Sequence, residues 1–203
     1  MLELLRQAAP LFIGSLFYML YYRIDVLMLD KLSTRESVAD FSVAFSMIDL
    51  LVELIWVQFI LVFYPRMIEY YREDKRLLAS RTLYVALGLA GVFTLLLIIS
   101  WLLAPAAFAL VFGEQYRYSG VVFTWLVPAH LLTVIFALMY RVLIITGRQV
   151  TYLVACIIGA VLNVALDYWL IPIYDVMGVI YATLTVNLLI CVIITVEARR
   201  SLR

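Results

Sequence analysis

Seven ionisable side chains fall inside long apolar stretches of this sequence: Arg23, Asp25, Asp49, Glu53, His130, Arg141 and Asp167. A charge at the centre of a lipid-exposed helix costs ~2.5–3.5 kcal/mol on insertion scales, so the set would cost on the order of 20 kcal/mol. Such residues must face one another, a protein interior or water, which makes each a candidate for binding or ion chemistry. Spacing sorts them. Asp49 and Glu53 stand at i, i+4 and share a helix face, so together they could form an acidic wall for a cationic ligand. Arg23 and Asp25 are two residues apart and point to different faces. Tyr18, Tyr21 and Tyr22 follow i, i+3, i+4 and lay an aromatic stripe beside Arg23. Such a stripe suits stacking on sugar rings, or packing and interfacial anchoring.

Depth follows from the helical rise. Arg23 lies roughly 9 Å from the outer end of its run, Asp49 about 12 Å and Glu53 about 18 Å from the outer end of theirs. An Arg23–Asp49 ion pair is therefore within reach, either as a packing device or in a cavity. His130 follows Pro128 at roughly 16 Å, which admits a Glu53–His130 proton relay or a hydrogen-bonded packing histidine. Asp25, near the outer surface, faces outer water or a neighbouring helix and is a further ion-coupling candidate. Arg141 lines an inner cavity or snorkels to headgroups. Asn163 and Asp167 are again i, i+4, and Asn187 sits mid-run, as amides that join helices do. Asp167 precedes Tyr168 and Trp169, the signature of an aromatic belt, and reads as interfacial.

The elements that must position these residues are membrane helices. Of 203 residues, 67% are hydrophobic and 14% charged, with a mean hydropathy of +1.07. A soluble domain carries about a quarter charged residues, so lipid must cover part of this surface. A net charge of +1 gives no electrostatic basis for binding nucleic acid. Cys156 and Cys191 read as small core residues, and with a single histidine no metal or cofactor is expected. No nucleophile–base set or glycine-rich phosphate loop suggests an enzyme. Without a basic leader and cleavage site, the first run reads as a retained anchor.

Apolar runs of membrane-spanning length occur at 7–29, 41–64, 82–111, 119–145, 151–171 and 177–196. The spacing predicts an all-α, six-helix, multi-pass protein, with Pro105 kinking or ending the third span. Segment 65–81 mixes charge with Met67, Ile68 and Tyr70 and reads as a cytoplasmic interfacial helix or a solvated connector. Ten Lys and Arg residues fall in the segments on the N-terminal side, against three on the other. That asymmetry places both termini in the cytoplasm.

In order along the chain, "QAAPLFIGSLFYMLYYRIDVLML", "FSVAFSMIDLLVELIWV", "YPRM", "VFGEQYRYSGVVFTWLVPAHLL", "ITGRQ" and "IIGAVLNVALDYWLIPIYDVMGVIYAT" resemble the C-terminal half of bacterial polysaccharide (O-antigen type) flippases. These belong to the multidrug/oligosaccharidyl-lipid/polysaccharide exporter superfamily. The resemblance implies one six-helix lobe of a two-lobed, alternating-access transporter in the bacterial cytoplasmic membrane. Its substrate would be an undecaprenyl-pyrophosphate-linked oligosaccharide, and an ion gradient would drive the cycle. It makes Arg23 the leading cavity candidate, with Asp25 in the same motif. It also implies a missing N-terminal lobe or a homodimer partner. "YDVMG" and "GVIYAT" replace the smaller residues usual in the family, which weakens the expectation of tight packing there. From the residues alone two alternatives stand: an ion-coupled exporter of small molecules, and a non-transporting partner lobe.

Overall fold

In lipid, backbone polar groups have no water to bond, so spanning segments close their hydrogen bonds internally. The computed structural model follows this rule, with 95% helix and no strand among the described residues. It describes the backbone of residues 2–202 and the side chains of 9–54, 56–57 and 59–202. Six helices run in order: α1 Leu2–Leu32, α2 Arg35–Glu73, α3 Lys75–Phe112, α4 Arg117–Ile145, α5 Gln149–Tyr174 and α6 Val176–Ser201. A short 3-10 turn, Glu114–Tyr116, precedes α4. Five helices are long and apolar enough to cross a membrane, and α2 becomes a sixth when counted across its bend. The two parts of α2, Arg35–Leu54 and Phe59–Glu73, lie at 48° to each other. The chain is an all-helical, multi-pass membrane protein.

The helices meet at tight, chemically specified turns. The Thr34 side chain accepts from the Ser37 amide at the start of α2. Asp74 accepts from the Arg76 amide at the start of α3, so segment 65–81 is helical on both sides of a single capping residue. Such caps satisfy amides that have no partner inside the helix. Asp175 joins α5 to α6 at φ 55°, a conformation uncommon for a residue with a Cβ. Its carboxylate accepts from Ser37 at 2.6 Å and also from Ser33, which ties this turn to the α1–α2 turn.

Pro105 does not end α3, which runs unbroken to Phe112. Neighbouring helices and local adjustment tolerate proline within membrane helices. Here α4 lies close by: a Cβ on Gly120 would sit 2.5 Å from the Ala104 carbonyl oxygen and 2.6 Å from Pro105 Cα. Gly178 is as tightly placed, 2.5 Å from the Leu170 carbonyl oxygen on the same measure, so packing at "YDVMG" is close after all.

Helix α4 is the central strut, packed against α2, α3 and α6, while α1 packs along α5. One apolar cluster gathers Leu29, Phe41, Ile48 and Ile180 near the α1–α2 turn. Another gathers Met67, Leu78, Leu143 and Ile194 toward the opposite end. Both cysteines are buried and free.

Candidate ion and substrate site

Two polar clusters share the interior, and α1 contributes to both. On its α2/α4 side, Arg23 Nη2 stands 3.5 Å from Asp49 Oδ2, so the pair suggested by depth is formed. The Tyr22 hydroxyl donates to Asp49 Oδ1 at 2.6 Å and lies 3.5 Å from His130 Nε2. His130 Nδ1 is 3.0 Å from the Leu126 carbonyl. A carbonyl only accepts, so Nδ1 carries a proton, and in the neutral ring Nε2 is left as an acceptor facing Tyr22. The result is a polar line Tyr22–Asp49–Arg23, with the His130 ring placed at its end as an acceptor whose contact with Tyr22 carries no proton while that hydroxyl donates to Asp49. Its aromatic wall is Tyr18, stacked on Tyr22 at 5.7 Å and on Phe136 at 5.8 Å. The Arg23 guanidinium lies 5.7 Å from the Phe45 ring centre, while 59% of its side chain stays exposed. An exposed cation with one carboxylate contact can still engage a second anion.

Not every candidate joins this line. Glu53 lies exposed on α2 and makes no hydrogen bond or ion pair among the described residues, and His130 sits against Tyr22 and Phe45 instead. Arg141 sits apart over the Trp56 ring at 5.2 Å and donates to the Ala137 carbonyl at 2.7 Å. With Tyr64 and Tyr140 it lines a separate groove of about 440 Å³ between α2 and α4.

The second cluster lies on the other side of α1, against α5 and α6. Asp25 is 4% exposed, while Asp167 and Asn163 are fully buried. The Asp25 carboxylate faces Asp167 and Asn163 and accepts from the Thr183 hydroxyl at 2.9 Å. Four oxygens here have no hydrogen-bond partner among the described residues: Asp25 Oδ1, both Asp167 carboxylate oxygens and Asn163 Oδ1; the Asn163 amide nitrogen beside them is likewise unpaired. Two carboxylates that share a dry pocket repel one another unless a proton or cation lies between them. The donor set is all oxygen, the kind that suits hard cations. Beside it, Tyr21 donates to Asn187, whose amide nitrogen bonds the Ala129 carbonyl and Thr133 at 3.1 Å each.

One small cavity joins the clusters. Asp25, Tyr22, His130, Thr183 and Asn187 all line a space of about 10 Å³, close to the volume one water needs. The cavity brings Asp25 next to Tyr22, whose hydroxyl bonds the Asp49 that pairs with Arg23. No family model, curated protein or solved structure matches the chain.

Asp167 corrects the sequence reading. It is wholly buried, whereas Tyr168 and Trp169 beside it are exposed. The belt residues occupy one face of α5 and Asp167 the other. The signal that finds it is the four-residue spacing of Gly159, Asn163 and Asp167, all buried, which marks the packed stripe of the helix.

Proposed function

We propose that this chain is one lobe of an ion-coupled transporter that moves a lipid-linked oligosaccharide across the bacterial cytoplasmic membrane. Its substrate would be undecaprenyl-pyrophosphate-linked, both termini would be cytoplasmic, and an N-terminal lobe or a second copy would complete the pathway. The observation that carries this reading is the buried Asp25/Asp167 pair, with oxygens that no protein donor satisfies. A packing role alone favours hydrogen-bonded amides or apolar residues there, since an unmet buried polar atom costs about 1–3 kcal/mol. Binding and release of a cation or proton gives the pair a role, and the small cavity offers a route by which its state reaches Arg23.

The substrate end rests on Arg23 and its aromatic wall. A half-exposed guanidinium can take a phosphate oxygen, while the edges of Tyr18 and Tyr22, whose faces are held by Phe136, Phe45 and one another, border the sugar. Asp49 holds the guanidinium until substrate arrives. A second reading, an ion-coupled exporter of small cationic molecules, draws on the exposed Glu53 carboxylate on the neighbouring α2 face.

Proteoliposomes carrying the chain together with its completing lobe, an N-terminal lobe or a second copy, separate these readings. The expected result is transbilayer movement of a labelled undecaprenyl-pyrophosphate oligosaccharide that requires an imposed sodium or proton gradient. Arg23→Gln should slow it at least tenfold, a loss comparable to one charge-assisted contact. Gradient-driven efflux of a cationic dye, abolished by Glu53→Gln, would support the exporter instead. Absence of both activities would leave the chain a non-transporting partner lobe.

A further inference from the structure

At the end of the bundle where α3 begins and α4 and α6 finish lies a cavity of about 610 Å³, away from Arg23 and the carboxylate pair. That is within the range of small-molecule sites. Arg76 on α3 and Arg199 on α6 line it, and none of its lining residues is acidic. Neither arginine has a carboxylate partner among the described residues. The nearest acid on α6, Glu197, is taken by Arg148 and Arg200.

Deeper in the cavity is Thr82, 3% exposed, whose hydroxyl has no hydrogen-bond partner among the described residues. A threonine inside a helix has a ready acceptor one turn back. Thr94, Thr124, Thr133, Thr146 and Thr185 all use theirs. Thr82 departs from that habit where it lines the cavity. Below the arginines the wall turns apolar through Leu83, Met139 and Val142. Leu83 and Leu87 continue as an exposed apolar strip along α3.

We infer that this cavity holds the head group of an anionic phospholipid. The phosphate lies between Arg76 and Arg199, and the glycerol ester oxygens accept from Thr82 one to two turns deeper. An acyl chain follows Leu83 and Leu87 into the bilayer. The gradient from cationic mouth through hydroxyl to apolar floor matches an amphiphile, whereas a free phosphate would leave Thr82 and the apolar strip unused. The inference is independent of the transport reading, because it concerns a different set of residues and its test reads lipid retention.

The full chain is purified from nanodiscs of phosphatidylcholine doped with phosphatidylglycerol, and retained lipid is measured by native mass spectrometry. Wild type is expected to keep one phosphatidylglycerol in preference to phosphatidylcholine. The double variant Arg76→Gln/Arg199→Gln should bind it about thirtyfold more weakly, from the loss of two basic contacts. Thr82→Val, nearly isosteric and so a control for folding, should weaken it about fivefold. Arg200→Gln, outside the cavity, should change nothing. Equal retention by wild type and the double variant would overturn the inference. So would displacement of the lipid by glycerol phosphate as readily as by short-chain phosphatidylglycerol, which would make this a free-phosphate site.

Discussion

Replacing Asp167 by Asn tests the ion site directly, because it removes one of two facing carboxylates and keeps the size of the side chain. In wild type, four oxygens lack a protein partner, a cost on the order of 4–12 kcal/mol if nothing else satisfies them. A cation that binds the folded chain recovers part of this through mass action. At one hundred times its dissociation constant it adds about 2.7 kcal/mol. For a chain of this length, each kcal/mol moves the unfolding midpoint by about 2–4 °C. Wild type should therefore gain about 5–11 °C on addition of saturating coupling cation. Asp167→Asn should lose most of that gain and start from a higher midpoint in cation-free buffer, because the carboxylate repulsion has gone. The assay is thermal unfolding of the detergent-solubilised chain, with sodium, lithium or potassium chloride against choline chloride at alkaline pH, repeated at acidic pH to read protons. A wild-type midpoint that ignores every cation and pH, with Asp167→Asn unchanged from it, would refute the reasoning.

Three further outcomes follow from geometry. Gly120→Ala should destabilise by about 1–3 kcal/mol, since the new methyl meets backbone of α3. Gly88→Ala and Gly91→Ala meet nothing within 4 Å and should stabilise by about 0.5–1 kcal/mol; chemical unfolding in detergent reads both signs. At the α5–α6 turn, Asp175→Gly and Asp175→Ala both lose the serine contacts. Only alanine keeps a Cβ at positive φ, so it should fall about 1–3 kcal/mol below glycine in the same assay.

The helical class and the Arg23–Asp49 pair were legible because they rest on length, hydropathy and depth, which a sequence carries. Rotation about a helix axis is less legible. His130 and Glu53 have similar depths, yet His130 turns toward Tyr22 while Glu53 turns outward. Asp167 was obscured by its neighbours: Tyr168 and Trp169 advertise the lipid face, and the residue before them points the opposite way. Of the two outcomes read for Pro105, a kink or an end, the end is excluded because α3 continues to Phe112; in a membrane helix, neighbouring helices and local adjustment satisfy the carbonyl a proline frees. The Thr82 cavity needed three helices from distant parts of the chain, and no local pattern announces it.

The Asp175 bridge has a mechanical consequence. By holding Ser33 and Ser37, it fastens the hairpin of α1 and α2 to the hairpin of α5 and α6 at one end. Helices α1 and α5, which carry the carboxylate pair, then behave as a frame whose spacing is fixed near that end. Any change of access to the pair must be made by elements the bridge does not clamp. The far arm of α2, beyond its 48° bend, lies outside that clamp.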